Sequence, residues 1–384
     1  MGGRCRGAAA GLPRVAGLLA SAVVTGSRYS LVRLKNGTYS VHSVTHGETF
    51  HPVVGPVAEA EALYVRQLRL VERLQQHTGE FVIWDVGLGA AANVLTLLRA
   101  AQGCACDLRV VSFDRTLEPL RFALGHAEAL GYFRGYEEPA SRLAAGAGKV
   151  EFANGRQTVT WTVEAGDFPS RLAQAVPQPS GSVSTLQGAR MPEHAEAWTP
   201  NQAAGLTSTI RGARIAEALP EPPPGNTGFV CPKADLCPGL PDESSVPGSK
   251  VSTGVLPPPH AILFDAFSPA TNPEMWTLPL FTKLFRCLDP ARPCAMPTYS
   301  RSTMLRVTLL LAGFHVGAGH ATGEKEETTI AANTLELIDE PLDRQWLARA
   351  RRSTSAEPLH EPVYRQERLR PATWERLQAH RQFR

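Results

Sequence analysis

Four short apolar runs in this chain each lead to an acid. Phe81-Val-Ile-Trp84 reaches Asp85, Leu108-Arg-Val-Val-Ser-Phe113 reaches Asp114, and His260-Ala-Ile-Leu-Phe264 reaches Asp265. Val159-Thr-Trp-Thr-Val163 is followed by Glu164-Ala-Gly166-Asp167. Segments of helical period separate the first runs; Leu120, Phe122, Ala123, Ala127 and Leu130 share a face over Leu117 to Leu130. Strands alternating with helices predict a mostly parallel sheet covered on both faces. Ligands of such sheets bind at the carboxyl ends of the strands, which is where these acids fall.

The turn after the first run is Asp85-Val86-Gly87-Leu88-Gly89, and Ala90 to Leu98 opens a helix. Strand, glycine turn and helix form a nucleotide or nucleoside cradle, because glycine permits the tight turn and close backbone approach. An acid before the first glycine repels a pyrophosphate. It suits a cationic ligand, such as the ammonium and sulfonium groups of S-adenosylmethionine. Asp114 follows the glycines by roughly twenty residues, the interval expected of a carboxylate on ribose hydroxyls. Asp167 is placed to meet an adenine amino group. Helix N-capping is the alternative for Asp114 and Asp167. An NAD-dependent oxidoreductase matches the Gly87, Gly89 and Ala92 spacing but leaves Asp85 unexplained.

Two motifs carry a resemblance. Asp85-Val86-Gly87-Leu88-Gly89-Ala90-Ala91-Ala92-Asn93 is similar to a motif of the form Glu-x-Gly-Phe-Gly-Thr-Gly-Leu-Asn, with Ala91 in place of the third glycine. Phe264-Asp265-Ala266-Phe267-Ser268-Pro269-Ala270-Thr271-Asn272-Pro273-Glu274-Met275-Trp276 is similar to Leu-Asp-Gly-Phe-Ala-Pro-Ala-Lys-Asn-Pro-Asp-Met-Trp. Both belong to the methyltransferase domain of the MnmC family, which modifies the wobble uridine of tRNA, and the chain resembles that family over roughly residues 29–175 and 259–338. Gly47-Glu48-Thr49-Phe50-His51-Pro52 resembles the family's entry segment. Gly323-Glu324-Lys325-Glu326 resembles a later turn, with Glu326 in place of the usual arginine.

The resemblance implies a Rossmann-like class I methyltransferase with a seven-stranded, mostly parallel sheet. It implies S-adenosyl-L-methionine as cofactor, held by Asp85, Gly87, Gly89, Asn93, Asp114 and Asp167. It implies an aminomethyl group at uridine C5 as methyl acceptor and tRNA as partner. Asp265 is the expected catalytic residue: it orients the amine and stabilises the ammonium that forms. Phe267, Ser268, Pro269, Trp276 and His51 are expected on the acceptor side. Phe267 or Trp276 would stack on the base, as aromatics do on unpaired bases. Packing is the alternative for Trp276. A small-molecule amine or a protein side chain is the rival acceptor. The family's flavin-dependent half is not expected in this chain, so a separate enzyme would supply the primary amine.

Composition narrows the setting. Lys and Arg number 39 against 36 Asp and Glu, so any nucleic-acid surface must be a local patch. Arginines cluster between Arg344 and Arg384, where a basic C-terminal tail is expected over residues 339–384, either as that patch or as a solvated, helix-forming tail. Seven cysteines at irregular spacing give no disulfide framework and predict a reducing, cytoplasmic setting. Cys104-Ala-Cys106 and Cys231 to Cys237 lack the paired spacing of a structural zinc site, so no metal is expected. No segment reaches membrane-span length. The oligomeric state is left open.

Along the chain, residues 1–28 read as a disordered leader. Residues 29–80 read as a hairpin and helix extension, with Asn36-Gly37 as a tight primed turn and a helix over Val57 to Gln75. The methyltransferase domain is expected over residues 81–338. Residues 176–258, rich in Pro, Gly, Ser and Thr, read as a disordered insertion in which Ala203 to Leu219 forms at most one helix.

Overall fold

A computed structural model of the chain describes residues 27–175, 256–322 and 326–384. The leader to residue 26, the candidate helix within 203–219, and Gly323 to Lys325 lie outside the described residues. An antiparallel hairpin comes first, β1 (Tyr29–Arg33) and β2 (Tyr39–Ser43), with a two-residue β3 (Glu48–Thr49) paired to β2. Its turn differs from the expected primed form. Gly37 N–H closes on Leu34 C=O, and of the turn residues Gly37 alone is left-handed, at φ 85°. A type I′ turn needs two left-handed residues, so this is a wider turn ending in a glycine bulge.

The expected helix over 57–75 is broken into α1 (Pro56–Ala60), a π-helical turn (Glu61–Arg66) and α2 (Leu70–Gln76). Arg69, left-handed at φ 47°, separates the last two. The wide turn and the break re-phase the face, so Leu63, Tyr64, Leu68, Leu70 and Leu74 are all buried.

The main sheet then begins: β4 (Glu80–Val86), α3 (Ala92–Ala101), β5 (Asp107–Asp114), α4 (Glu118–Leu124), α5 (Ala127–Leu130), α6 (Glu137–Ala144), β6 (Lys149–Asn154), β7 (Gln157–Ala165) and α7 (Phe168–Ala175). The helix expected over 117–130 is thus two, divided at Gly125 and His126. Beyond residue 255 come β8 (Ala261–Phe264), a 3₁₀ turn (Pro273–Trp276), α8 (Leu278–Arg286), β9 (Ala295–Thr298), α9 (Thr303–Ala312), β10 (His315–Gly319), β11 (Thr328–Ala332) and β12 (Glu340–Pro341).

The strand order is β12-β10-β11-β9-β8-β4-β5-β7-β6. Its centre, β9-β8-β4-β5-β7, is parallel, and β11 runs antiparallel between β9 and β10. This is the expected seven-stranded arrangement with one short strand added at each edge, β12 and β6. Alternation along the strands sorts the core. Phe81 and Ile83 of β4 join Leu108, Val110 and Trp161 on one face, under α1 to α6. Val82, Trp84 and Val86 join Val111 and Phe113 on the other, under α7 to α9. Period 2 turns Asp85 to the first face, opposite its register partner Ser112.

Residues 339–384 are not a solvated tail. They form α10 (Arg344–Arg352) and α11 (Pro371–Gln378) and fall in the same compact unit as the sheet. Trp346, Leu347, Leu377 and Phe383 enter the second core cluster. Several C-terminal arginines serve as internal ties. Arg344 donates to Phe383 C=O, Arg381 to Gly313 C=O, and Arg351 lies 4.7 Å over the Trp374 ring. Among the described residues no helix is long and apolar enough to cross a membrane.

Candidate active site

The turn after β4 is fixed from two sides. The N–H groups of Gly87 and Leu88 donate to Phe113 C=O at the end of β5, at 3.0 and 3.2 Å. Gly87, Gly89 and Ala91 are all left-handed, at φ 95°, 50° and 63°. Gly87 has a second constraint: a Cβ there would stand 2.6 Å from Asp265 C=O. The turn and the loop after β8 therefore approach closely only because residue 87 lacks a side chain. Asp114 accepts from Gly89 N–H at 2.8 Å and from Thr116 N–H at 3.2 Å, so its carboxylate shapes the same turn.

Asp265 continues β8, its N–H donating to Val86 C=O at 2.9 Å. Its Oδ2 accepts from Asn93 Nδ2 at 2.8 Å and lies 3.5 Å from His51 Nε2. The other imidazole nitrogen, Nδ1, stands 3.8 Å from Glu59 Oε2 on α1. The loop beyond Asp265 is held through its carbonyls. Tyr64 OH donates to Phe264 C=O, Tyr299 OH to Ala266 C=O, and Trp276 Nε1 to Phe267 C=O at 2.7 Å. Glu48 accepts from the Ser268 and Thr271 hydroxyls, tying β3 to this loop. Burial alone would raise the Glu48 carboxyl; the two hydroxyls and Ser268 N–H outweigh it and hold it below the usual range.

These segments enclose a cavity of about 510 Å³ lined by, among others, Phe50, His51, Glu59, Gly87, Asn93, Asp114, Asp265 and Phe267. The Phe267 ring stacks on His46 at 4.4 Å and meets the edge of Phe50 at 5.5 Å. Behind the cavity floor Asp85 is 1% exposed. Its Oδ2 accepts from Ser112 Oγ at 2.7 Å, and Oδ1 has no hydrogen-bond partner. Burial pushes this carboxyl up to about 7; the Ser112 hydrogen bond opposes that, and Asp265 and Asp114 add to it. Arg115, the guanidinium at the cavity, is engaged at 2.9 Å with both Asp167 and Glu274. The cavity is therefore an acidic enclosure suited to a cationic guest.

Residues 257–334 match a family described as S-adenosyl-L-methionine-dependent methyltransferase. The chain is 37% identical over 89 residues to the tRNA 5-methylaminomethyl-2-thiouridine biosynthesis bifunctional protein MnmC of Ectopseudomonas mendocina, covering 23% of this chain and 13% of that protein. With MnmC of Aeromonas hydrophila it shares 24% identity over 313 residues, or 79% of this chain and 35% of that protein. The crystal structure of MNMC2 from Aquifex aeolicus has the same fold, with a TM-score of 0.53 at 17% identity over 92% of this chain and 84% of that one. The chain carries an MnmC-like methyltransferase domain. Its matches span well under half the length of these curated relatives.

Within the MnmC-like domain the expected residues divide. Gly87, Gly89, Asn93, Asp114, Asp265, Phe267, Ser268 and His51 all line the cavity. Four do not. Asp85 is buried behind the turn, with one carboxylate oxygen on Ser112 and the other unpartnered. Asp167 caps α7, accepting from Ser170 N–H and Oγ, and pairs with Arg115, while its neighbours Gly166 and Phe168 line the cavity. Trp276 is fully buried against Phe264 and Tyr299 and acts by holding the Phe267 carbonyl. Pro269 stands outside the lining. Asn93 ties the glycine-turn helix to Asp265 through its amide.

Sequence reasoning missed Glu59, Glu48 and His46. Glu59 carried one signal, an acid among Ala58, Ala60 and Ala62 on a helix whose neighbours are apolar. Glu48 lies within the Gly47 to Pro52 segment that carries the resemblance, which assigned it no role, and His46 just before it had no signal.

Proposed function

We propose that this chain N-methylates the aminomethyl group of the wobble uridine in tRNA with S-adenosyl-L-methionine. One contact carries the reading: the Asn93 amide on the glycine-turn helix donates to the Asp265 carboxylate at the head of the acceptor loop. Cofactor side and acceptor side thereby meet across a single hydrogen bond, in a cavity whose charge suits a cationic cofactor and an acceptor nitrogen that becomes cationic on transfer.

The donor set fits this cofactor. Asp85 places an unpartnered carboxylate oxygen under the cavity, where positive charge is favoured. Gly87 and Gly89 leave room for a ligand to approach the backbone, and Asp114 stands at the end of β5 where ribose hydroxyls are bound in related folds. When bound, S-adenosyl-L-methionine supplies an electrophilic methyl group on a sulfonium. Asp265 then orients the acceptor nitrogen and stabilises the ammonium that forms as the new bond is made. Phe50 and Phe267 offer apolar ring surface beside it, and enclosure by β3 and its flanking loop excludes water.

The acceptor follows from the chemistry of MnmC, the bifunctional protein named in the curated relatives. The reaction would take place in the cytoplasm, where a separate enzyme would supply the primary amine. Mass spectrometry of wobble nucleosides from a strain lacking this gene tests the acceptor. Loss of methylaminomethyluridine is expected, and an unchanged level would redirect the search to small-molecule amines. Calorimetry should detect S-adenosylmethionine and no NAD. Asp265→Ala should abolish turnover while lowering cofactor affinity far less, since on the cofactor side it removes only the hydrogen bond from Asn93.

A further inference from the structure

Around Asp265 the cavity is crowded with acids, yet one side chain breaks the pattern. His51 lies between Glu59 and Asp265, 8% exposed at the side chain, with each ring nitrogen facing one carboxylate. Its backbone is left-handed at φ 50°, a conformation costly for a residue with a Cβ. Strain of this kind at a cavity wall points to a side chain whose placement matters. Pro52 follows it, and Glu59 is delivered by the buried face of α1.

We infer that His51 is the fixed cation of this site, a positioning residue held between Glu59 and Asp265 so that the Asp265 carboxylate keeps its charge and aim toward the acceptor amine. The inference rests on the proposed amine acceptor. The titratable groups coupled to this pair come from several elements: Tyr64 from the π-helical turn, Tyr299 after β9 and Asp85 from β4, with Glu48 of β3 acting on Tyr299. Burial first, then Asp265, pushes both tyrosine hydroxyls well above their ordinary range, so they stay neutral. Arg115 is committed to Asp167 and Glu274. Among the described residues lining the cavity, His51 is therefore the cation in contact with Asp265. Burial pulls its imidazole down, but Asp265 and then Glu59 outweigh that and hold it above the ordinary histidine value.

This arrangement assigns Asp265 one of two possible roles. A carboxylate beside a fixed imidazolium is a durable acceptor of N–H hydrogen bonds rather than a general base. The acceptor would lose its proton to solvent and bind as a neutral amine, R–CH₂–NH₂. Its lone pair forms the N–C bond as the donor's S–C bond breaks. The positive charge passes from sulfur to nitrogen, and the product leaves as a secondary ammonium.

The test uses the full chain and two readouts. Histidine ring resonances are titrated by NMR, with His51 assigned by its absence in His51→Gln. In wild type His51 should titrate above the ordinary value of about 6.5. In the isosteric Glu59→Gln it should fall by about 1 unit, the low end of what a neighbouring charge produces. The alkaline limb of kcat on aminomethyl-tRNA should follow to lower pH by the same interval, while KM for tRNA changes less than about twofold. A His51 resonance at or below the ordinary value, or unmoved by Glu59→Gln, overturns the inference. So does a resonance that moves while the kcat limb stays. If wild type fails to turn over aminomethyl-tRNA at all, the acceptor reading falls, and the titration still decides the ion chain by itself.

Discussion

Asp85 gives the sharpest quantitative handle on the cavity's charge. Its carboxyl rises from 3.8 to about 7 because burial strips its water and one oxygen receives no hydrogen bond. That is about 3 units, and each unit is about 1.4 kcal/mol, so ionised Asp85 costs the ligand-free fold about 4 kcal/mol. The sign follows from proton counting. The folded-state value lies above the unfolded one, so the folded chain binds the extra proton between them. Stability is full below about 3.8 and is lost as pH rises toward and through about 7.

Asp85→Asn removes this dependence. The new amide oxygen can still accept from Ser112 Oγ, which itself accepts from Trp161 Nε1. The amide nitrogen inherits the unpartnered position at a cost of about 1–3 kcal/mol. The variant should therefore be less stable than wild type near pH 4 and more stable near pH 8, the difference swinging by about 4 kcal/mol. Urea unfolding at a series of pH values measures it. A variant whose stability difference from wild type is flat across that range would refute the electrostatic account of the site. The same charge predicts that S-adenosylmethionine binding releases a proton below about pH 7, with affinity rising up to about tenfold per unit. Calorimetry in two buffers of different ionisation enthalpy should find that release in wild type and lose it in the variant.

Four further substitutions test the architecture. Gly87→Ala meets both a left-handed φ and the Asp265 carbonyl at 2.6 Å; it should cost about 3 kcal/mol in urea unfolding and abolish cofactor binding. Gly155→Ala, equally crowded by Gln102 C=O at 2.3 Å but outside the cavity lining, should lose stability and keep binding. Glu357, 3% exposed, accepts from Arg370 N–H and Thr373 Oγ1 at the start of α11. Glu357→Ala should cost about 3 kcal/mol and expose the segment after residue 356 to proteases; a loss below about 0.5 would contradict its role as an anchor. Trp276→Phe keeps most of the packing but drops the hydrogen bond to Phe267 C=O. It should cost about 1 kcal/mol in stability and lower turnover of the acceptor more than cofactor affinity.

The sheet was legible because its strands are buried on both faces and read as apolar runs, which leave few alternatives. Even the strand boundaries moved little: Leu108 to Phe113 gains one residue at each end, and Phe81 to Trp84 lengthens by one residue before and two after. Helices were less legible where tertiary packing re-phased them. Nothing in Val57 to Gln75 announces that Arg69 will turn left-handed, since the demand comes from the sheet that Leu70 and Leu74 must reach. The acids at strand ends announced the cavity but not their division of labour. Asp167 and Asp114 have the same local signature, an acid after a strand and before a helix, yet one caps α7 while the other turns its carboxylate onto Gly89. Period 2 alone buries Asp85, a step the strand pattern contained.

The acceptor wall depends on residues that the strand–helix alternation never addresses. Glu48, Phe50, His51 and Glu59 come from the segment before β4; the first three touch the loop after β8 or the side chain of Asp265 or Phe267, and Glu59 meets His51. The N-terminal hairpin and α1 are therefore half of the site rather than an appendage to it. The described chain stops at the carboxyl end of α7 and resumes before β8, and both points lie at the amino-terminal edge of the parallel strands. The cavity lies at the carboxyl edge, where the turns after β4 and β8 meet. Residues 175 and 256 thus lie on the side away from Asp265. The close approach at Gly87 and the hydrogen bond from Asn93 both fall where the turn after β4 meets the loop after β8.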